Sequence, residues 1–447
     1  MRKHNLTDRI GESTGTAVVA AGGTRPVEPR AASEQQANAA GRSTAAIQGG
    51  RDRVKPPPDS DAQSRRRAGD QLIRPTRAEI DLAALRQNVA EIRRLAPRVE
   101  MLGIVKANAY GHGAVPIARA LEREQVGMLG VALVEEGLEL RNAGIRAPIL
   151  VLGGSYDGSY QLMAEHDLTA TVFRPEQVAE LAEASRRIGR PLKAHLKLDS
   201  GTGRLGVLPD DLDDFLDQAS RFPQVQMDGL LSHFASADLE NAEFTLEQLR
   251  RFTQALARMR ARGLRPTWRH LSNSAGVIEL PEVRDGVELN MVRPGIMLYG
   301  LAPAAWMEGS ANLAPVMSWK TAVVHLKRVP SGTPISYGGT WRAPRPSTIA
   351  TLPVGYADGY VRHFSNRSQV LIRGHRAPVV GRVCMDLCMV DVTEVAGVAM
   401  GDEVVLLGAQ GEEQIPADEL AQLAGTIHYE VLCGVSARVP RIVLNQT

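Results

Sequence analysis

The chain has 447 residues, 44% of them hydrophobic and 23% charged, and this length predicts two folded units. The formal net charge of +2 argues against nucleic acid or an acidic membrane surface as a partner. No apolar run approaches the roughly 20 residues that cross a bilayer, which argues against a helical membrane protein.

The first domain boundary follows a predicted disordered extension, residues 1–74. This segment contains no Phe, Trp or Tyr and carries 13 Lys and Arg against 8 Asp and Glu. Such a composition buries too little apolar surface to offset the entropy lost on ordering. Its best apolar stretch, 17–21, is too short for the core of a signal peptide. A solvated extension or an upstream start codon is the favoured interpretation, and the alternative is a basic tail that touches nucleic acid.

Residues 75–303 alternate between apolar runs and helical patterns. Apolar side chains recur every three or four positions from Leu82 to Leu95, as on one helical face, and Pro97 is predicted to end that helix. Eight apolar runs with helices between most of them predict a closed (β/α)8 barrel, with a doubly wound open sheet as the alternative. The runs are 101–106, 128–133, 148–152, 168–172, 192–198, 225–232, 268–271 and 287–299, and helices are expected at 175–188 and 245–262.

Residues 304–447 have a different pattern, which predicts a compact all-β domain. Their apolar runs are short, rich in β-branched residues and separated by Gly, Pro and Asp. The three cysteines of the chain are too few for a disulfide framework, which fits a reducing, cytoplasmic compartment. Cys384 and Cys388 lack the second pair that a zinc site needs. The runs are 316–329, 347–354, 369–372, 377–383, 388–392 and 403–407.

The most informative segment is 105–113, Val-Lys-Ala-Asn-Ala-Tyr-Gly-His-Gly. Lys106 directly ends an apolar run, so we expect its amine to point into the barrel mouth, where active sites lie; a solvated lysine is the alternative. A lysine held there has a lowered pKa and can form a Schiff base with an aldehyde. Tyr110 follows among small residues, which suits a tight turn that a phosphate can approach.

Three further segments place polar residues after apolar runs. Residues 197–206, Lys-Leu-Asp-Ser-Gly-Thr-Gly-Arg-Leu-Gly, form a glycine-rich turn that could cradle a phosphate, although this signal is weak alone. His233 follows another run, and a lone histidine is more often structural than catalytic. Asn273 and Ser274 are typical helix caps, and a helix N-terminus also attracts phosphate.

In chain order from about Pro75 to the C-terminus, these segments resemble the alanine racemases, which are fold-type III pyridoxal-phosphate enzymes. The resemblance implies that Lys106 carries the cofactor and that Tyr110 contacts its phosphate. Arg204 corresponds to an arginine that meets the substrate carboxylate and the phenolic oxygen of the cofactor, and a guanidinium fork suits both acceptors. Lys197 corresponds to a lysine that is carbamylated in some members and supports that arginine.

The resemblance assigns the remaining cofactor contacts residue by residue. His233 corresponds to a histidine that orients its neighbours, and Met385 to a residue at the substrate site. His428 occupies a position where an asparagine is expected. The other implied contacts are those of Asn273 with the cofactor, and of Ser274, Gly295, Ile296 and Tyr429 with its phosphate.

Arg293 is the most informative of these residues for mechanism. It resembles the arginine that faces the pyridine nitrogen, where many pyridoxal-phosphate enzymes place an acid. An arginine cannot accept the ring proton. The ring is therefore expected to stay neutral, which favours racemisation over transamination.

Tyr337, in the segment 335–340, resembles the second catalytic base, although a tyrosine between glycines is also typical of a hairpin turn. The family implies a head-to-tail homodimer with shared sites that interconverts L- and D-alanine and supplies D-alanine for peptidoglycan. A non-catalytic pyridoxal-phosphate carrier is the first alternative, but such carriers lack the β domain. A decarboxylase of basic amino acids would place a carboxylate where Arg293 stands. A racemase of broader or serine specificity stays open.

Overall fold

The computed structural model describes residues 73–156, 158–281 and 288–446. The predicted disordered extension therefore lies outside the described residues, apart from Ile73 and Arg74. Among the described residues, no helix combines the length and the hydrophobicity that crossing a membrane requires. The described chain consists of a barrel and a C-terminal domain that is mainly β-sheet.

Eight parallel strands form the barrel wall. The first seven pair with one another in chain order, and the eighth pairs with the first. The circle is closed by backbone hydrogen bonds from Asn290 N–H to the Arg269 carbonyl and from Arg293 N–H to the Ser272 carbonyl, both 3.1 Å. The barrel prediction is confirmed, and the open sheet is ruled out. After strand β1 (Arg77–Asp81), the barrel strands are β2 (Glu100–Ile104), β3 (Met128–Val131), β4 (Ile149–Val151), β5 (Leu168–Val172), β6 (Leu192–Lys197), β7 (Val225–Leu231), β8 (Trp268–His270) and β9 (Met291–Val292).

The helices between these strands follow the sequence closely. Asp81 caps α1 (Leu82–Leu95) by accepting the Ala83 N–H at 2.8 Å, and the helix ends before Pro97 as predicted. The run expected at 287–299 differs, because Pro294 lacks the N–H that would continue a strand ladder, and a 3₁₀ turn, Ile296–Tyr299, follows. The other helices are Ala114–Arg123, Val134–Asn142, Ser159–Glu165, Pro175–Ile188, Leu212–Ala219, Glu243–Ala261 and Ser274–Glu279, whereas Lys106–Tyr110 forms a left-handed turn.

The C-terminal domain contains three sheets and two helices. Its largest sheet includes β1, which lies between the strands Met317–Ala322 and Arg441–Leu444 although the sequence places it in the barrel segment. The run predicted at 377–383 instead begins at His375, because Arg373 and Gly374 both have positive φ and form a two-residue turn. The strands are β10 (Met317–Ala322), β11 (His325–Val329), β12 (Pro334–Ile335), β13 (Trp341–Arg342), β14 (Ser347–Leu352), β15 (Gln369–Ile372), β16 (His375–Pro378), β17 (Cys388–Asp391), β18 (Glu403–Gln410), β19 (Glu413–Ile415) and β20 (Arg441–Leu444). The helices are Ala417–Ala424 and His428–Gly434, and 3₁₀ turns lie at Ala305–Met307, Tyr337–Gly339, Tyr356–Asp358 and Arg362–Phe364.

A buried asparagine joins the first helix to the connection between the domains. The amide nitrogen of Asn88 donates to the carbonyls of Leu298 and Ala314, at 3.1 and 2.8 Å, and its oxygen accepts the Ala314 N–H at 2.8 Å. Asn88 is fully buried. Loss of this side chain leaves buried backbone groups without partners, which costs about 1–3 kcal/mol for each such group.

We expect Asn88→Ala to lower the free energy of unfolding by about 3 kcal/mol, since several of these groups lose their partner at once. The measurement is urea unfolding at a fixed protein concentration. Gln87→Ala, on the exposed side of the same helix, is the matched control and should change stability by less than about 0.5 kcal/mol. Equal losses in the two variants would contradict the role of Asn88.

Candidate active site

A cavity of about 920 Å³ opens at the carboxyl ends of the barrel strands. Each strand places its polar residue there for the same reason: the strand ends and the chain turns outward. Most of the residues singled out in the sequence line this one cavity. They are Lys106, Tyr110, Lys197, Arg204, His233, Asn273, Ser274, Arg293, Gly295, Ile296 and Tyr429.

Lys106 lies two residues beyond the end of β2 and is partly buried. Burial lowers the pKa of its amine, and the nearby cation of Arg204 lowers that pKa further. The chain then makes a left-handed turn, in which residues 107–110 all have φ between 52° and 54°. This turn directs both the lysine and the Tyr110 ring toward the cavity.

Hydroxyl and backbone donors meet in one corner of the cavity. A Cβ on Gly295 would come within 2.5 Å of the Tyr110 hydroxyl, so a glycine is needed for this approach. The Ser274 hydroxyl accepts the Gly295 N–H at 2.9 Å. The ring centroids of Tyr110 and Tyr429 are 6.0 Å apart, and burial raises the pKa of both phenols well above the ordinary value. Both phenols therefore remain protonated and can donate hydrogen bonds to an anion.

Asn273 acts as a helix cap, the structural alternative considered from the sequence. Its side-chain oxygen accepts the Gly276 N–H at 3.0 Å. The residue also lines the cavity. Capping and a contact with a bound molecule are therefore compatible, because the amide nitrogen is not used by the cap.

Arg293 is buried and fixed by acceptors on several sides. One terminal nitrogen, Nη2, lies 2.6 Å from the Ser232 carbonyl and 3.1 Å from Nδ1 of His233, and the other, Nη1, lies 3.0 Å from Nδ1 of His270. Burial, with repulsion from Arg204, lowers the pKa of Arg293 to about 9. The guanidinium still carries its charge at neutral pH.

The histidines around Arg293 are neutral, and their tautomers follow from their partners. Because arginine only donates, Nδ1 of His270 must accept, so its Nε2 carries the hydrogen and donates to Nδ1 of His195 at 2.9 Å. Burial lowers the pKa of His195 to about 4 and that of His270 well below its ordinary value. A Cβ on Gly229 would strike the His195 ring at 2.4 Å. The sequence reasoning missed this pair, although His270 also ends a barrel strand.

Arg204 is held by its backbone. Oδ1 of Asp199 accepts the N–H groups of residues 201–203, and its Oδ2 accepts the Arg204 N–H at 3.2 Å. Burial alone would raise the pKa of Asp199, but these four donors bring it below its ordinary value. The exposed Arg204 guanidinium makes no hydrogen bond to any described residue, so it is available to a carboxylate. An aspartate just before a glycine-rich turn is a local signal that could have identified Asp199.

Lys197 ends β6 and is 5% exposed. Burial, with repulsion from Arg293 and Arg204, lowers the pKa of its amine to about 8. About a fifth of the unmodified amine is therefore neutral at about pH 7.4, far more than for an ordinary lysine. Neutral amines are the form that reacts with electrophiles.

Tyr337 and Met385 are not brought to this cavity. They lie in the C-terminal domain and are 72% and 53% exposed, respectively. Ser336, next to Tyr337, has a φ of 62° and donates its hydroxyl to the Arg382 carbonyl at 2.6 Å. The loop that carries Tyr337 therefore has a defined conformation, but the Tyr337 side chain itself extends into solvent.

The cavity fits each functional part of pyridoxal phosphate. Lys106 suits an aldehyde, protonated phenols and the Ser274 hydroxyl suit a phosphate, and the Arg293 cation suits a ring nitrogen that stays unprotonated. A closed barrel with this set of donors defines the class of pyridoxal-phosphate enzymes built on that fold.

Comparisons with known proteins agree with this class and identify one family within it. The family "Alanine racemase, N-terminal domain" matches residues 80–303, and "Alanine racemase, C-terminal domain" matches residues 316–443. An alanine racemase of Halothermothrix orenii is 46% identical over 376 residues, 84% of this chain and 98% of that protein. Alanine racemase 2 of Caldanaerobacter subterraneus subsp. tengcongensis is 46% identical over 374 residues, covering 83% of this chain and 95% of that protein.

Solved structures give the same result. The alanine racemase of Clostridium difficile 630 superimposes with a TM-score of 0.79 at 37% identity, over 84% of this chain and 98% of that one. The Bacillus anthracis enzyme with bound L-Ala-P gives a TM-score of 0.78 at 38% identity, over 84% of this chain and 97% of that one. The chain therefore belongs to the alanine racemase family and is a pyridoxal-phosphate-dependent isomerase. The activity of this family is the interconversion of L- and D-alanine.

We expect Asp199→Asn to raise KM for alanine about 10-fold with a smaller change in kcat. In this variant the remaining side-chain oxygen still accepts the N–H groups of residues 201–203. The new amide nitrogen then faces the Arg204 N–H, and two donors cannot form a hydrogen bond. The loop that holds the Arg204 guanidinium should therefore become more mobile. A contact between this guanidinium and the substrate carboxylate is expected to be equally strong in the ground state and the transition state, and losing such a contact raises KM rather than lowering kcat. Steady-state kinetics measure this, with exposed Asp210→Asn as the control that should leave KM unchanged.

The same variant has a pH signature. Because the folded-state pKa of Asp199 is depressed, its contribution to stability is present above the unfolded value of about 3.9 and is lost as pH falls through the folded value. The stability gap between wild type and Asp199→Asn should therefore close in acid. A gap that stays constant down to about pH 2 would rule out the ionised carboxylate as its source.

Proposed function

We propose that the chain interconverts L- and D-alanine as a homodimer by a two-base mechanism. Lys106 moves a proton on one face of the α-carbon, and Tyr337 of the partner subunit moves a proton on the other. The observation that carries this proposal is the position of Tyr337, which is 72% exposed and outside the cavity of its own chain. A single base would have to cross the plane of the substrate, so two bases on opposite faces are the economical solution.

The exposed side chains of the C-terminal domain support the dimer. Tyr356, Met385 and Leu387 are 43%, 53% and 42% exposed. Two backbone bonds of 3.0 Å join their loops, from Tyr356 N–H to the Cys384 carbonyl and from Ala357 N–H to the Met385 carbonyl. Large apolar side chains presented together are typical of an interaction surface. In the proposed head-to-tail dimer, this surface covers the partner's cavity, where Met385 reaches the substrate.

Within the cavity, the remaining roles follow from donors and charges. When bound, pyridoxal phosphate withdraws electrons from the amino acid and so acidifies its α-hydrogen. Arg204 binds the substrate carboxylate and the phenolic oxygen of the cofactor. Arg293 only donates, so it leaves the ring nitrogen without a proton and favours return of the proton to the α-carbon. Lys106 would serve the D-enantiomer, and the partner's Tyr337 the L-enantiomer.

The cofactor contacts divide between phosphate and ring. His233 orients Arg293 rather than moving a proton, because its Nδ1 already accepts from the guanidinium and its pKa is lowered well below the ordinary value, first by burial. Asn273 offers its free amide nitrogen to the cofactor. The proposed phosphate contacts are Tyr110, Tyr429, Ser274 and the backbone of Gly295 and Ile296.

Lys197 is proposed to be carbamylated. The Lys197 ammonium first releases one proton to solvent, which leaves a neutral amine. This amine adds to CO₂: an N–C bond forms, the π electrons of one C=O bond move to oxygen, and a second proton leaves to solvent. A buried cation thus becomes an anion. The carbamate would then pair with Arg204, whose charge otherwise opposes that of Lys197. Two facing cations are replaced by an ion pair, which supports the direction of the guanidinium.

The proposed setting is the cytoplasm, where D-alanine is supplied for peptidoglycan. Cys384, Cys388 and Cys433 are all free thiols, as expected in a reducing compartment. Chiral assay of the purified enzyme against a panel of amino acids, serine included, tests the substrate. Borohydride reduction and peptide mapping should place the cofactor on Lys106, and a label on another lysine would refute that assignment.

Tyr337→Phe should lower the rate of racemisation about 10²–10⁴-fold, the usual contribution of a general acid–base group. The decrease should be the same in both directions, because the equilibrium between L- and D-alanine does not depend on the enzyme. In deuterated water the variant should still exchange the α-proton of D-alanine through Lys106 and lose exchange with L-alanine. Tyr156→Phe, which removes an equally exposed phenol elsewhere (73% exposed), should retain both exchanges. Equal loss for both enantiomers would show that Tyr337 is not a face-specific base.

Mixing Tyr337→Phe with Lys106→Ala subunits tests the sharing of sites. Each mixed dimer should contain one site with both bases and one with neither, so activity should return as heterodimers form. Native mass spectrometry measures heterodimer formation independently. Heterodimers without any recovered activity would place both bases on one chain.

The carbamate should be visible and should depend on pH. In ¹³C-labelled bicarbonate, a carbamate carbon signal is expected that Lys197→Ala lacks. The pKa of the amine is about 8, so the signal should weaken as pH falls from about 8.5 to about 6.5, since protonation removes the reactive form. A spectrum without this signal at the higher pH, in saturating bicarbonate, would refute the modification.

A further inference from the structure

The left-handed turn after Lys106 has an unfavourable backbone conformation. Four consecutive residues, Ala107, Asn108, Ala109 and Tyr110, have positive φ. Residues other than glycine lose free energy in this conformation, and it usually occurs at single positions. A run of four persists only when its surroundings fix it more firmly than the local preference opposes it.

Side chains from distant elements fix the two ends of the turn. Glu136 accepts the Ala107 N–H at 2.6 Å. At the far end, Nε of Arg441 donates to the Gly111 carbonyl at 2.8 Å, and a Cβ on Gly111 would lie 2.3 Å from the Leu432 carbonyl. The turn is thus attached to a barrel helix and to the last strand of the chain.

The middle of the turn is held by His112, which is fully buried. Its Nδ1 lies 2.9 Å from the Ala109 carbonyl and 3.0 Å from the Tyr110 carbonyl. Carbonyls only accept, so Nδ1 carries the hydrogen and Nε2 does not in the neutral ring.

A tyrosine connects this histidine to the strand before Lys106. The His112 ring stacks on Tyr299 with centroids 4.4 Å apart, and Tyr299 lies 4.9 Å from the Tyr110 ring. The Tyr299 hydroxyl donates to the Ile104 carbonyl at 2.7 Å. The rings therefore tie the turn to the end of β2, on both sides of Lys106.

We propose that His112 is a positioning residue for the cofactor: its Nδ1–H holds the left-handed turn and so sets the directions of the Lys106 amine and the Tyr110 hydroxyl. It does not line the cavity, so it acts through these two residues. The inference rests on the proposed function only in that Lys106 and Tyr110 hold pyridoxal phosphate.

The bond is expected to be independent of pH in the working range. Burial, with a smaller contribution from the Arg441 cation, lowers the pKa of His112 to about 4, although the hydrogen bonds to the Tyr110 and Ala109 carbonyls act in the opposite direction. Its Nε2 has no hydrogen-bond partner among the described residues. The ring should stay in the Nδ1–H tautomer, which ¹⁵N spectra of histidine-labelled enzyme report directly. A titration near pH 6.5, or the Nε2–H tautomer, would overturn the proposal.

Substitutions separate the donor from the ring. Asn places an amide N–H close to the position of Nδ1, whereas Leu removes the donor and keeps similar volume. We expect His112→Leu to weaken pyridoxal-phosphate affinity at least 10-fold and to lower kcat, and His112→Asn to stay within about 3-fold of wild type in both, since it keeps the donor. Equal effects of Asn and Leu would overturn the role of the donor.

A third variant distinguishes strain from a packing defect. Ala107 is exposed, so Ala107→Gly removes little packing, and glycine adopts positive φ without penalty. Added to His112→Leu, it should recover part of the lost affinity, whereas a simple packing defect would not be recovered. Leu181→Ala, in a buried position of an outer helix, should lower the melting temperature without changing cofactor affinity.

The outcomes remain separate from those of the proposed function. Cofactor affinity and the histidine tautomer can be measured whether or not the enzyme racemises alanine. If borohydride labels another lysine, the proposed function fails. If Lys106 is labelled but His112→Leu binds the cofactor as wild type does, only the positioning role fails.

Discussion

Positive charge concentrated in one cavity is the constraint on which the rest of the site depends. Lys106, Lys197, Arg204 and Arg293 all line it, and of the described lining residues only Asp238 is acidic. Mutual repulsion is among the causes that lower the pKa values of three of these groups. Partly buried cations are costly without counter-charges, so the cavity is electrostatically suited to a phosphate, a substrate carboxylate and a carbamate together.

The neutral histidines limit the repulsion among the positive charges of the cavity. His233 and His270 contact Arg293, and His195 contacts His270. Each of the three has a lowered pKa, caused first by burial and in part by the Arg293 cation. Uncharged imidazoles can accept from the guanidinium without adding to the repulsion. The barrel thus holds its buried arginine with carbonyls and imidazoles rather than with a carboxylate, which would neutralise the charge that we propose for the contact with the ring nitrogen.

The sequence predicted the features that depend on local pattern. Seven of the eight apolar runs coincide with barrel strands, and the eighth, 287–299, holds only the short strand Met291–Val292. The helices at Pro175–Ile188 and Glu243–Ala261 follow from periodicity, and the cavity residues from their place after a strand. The family resemblance supplied their roles. The contacts of Glu136 with Ala107 and of His195 with His270 could not be found in this way, because the partners lie 29 and 75 residues apart in the sequence. Periodicity also could not show that β1 belongs to the sheet of the C-terminal domain, since the partners of a strand depend on tertiary packing rather than on its own sequence.

The position of β1 has a consequence for how the chain is made. Ala78 pairs with Arg441, and Asp81 with Leu444, so the first strand of the described chain completes its sheet with the last. During synthesis, β1 emerges early and has neither sheet neighbour until the C-terminal domain follows. The barrel can close before that domain exists, because its strands pair only among themselves. Pairing at such separation is slow, so one edge of β1 stays open until residues 441–444 have left the ribosome.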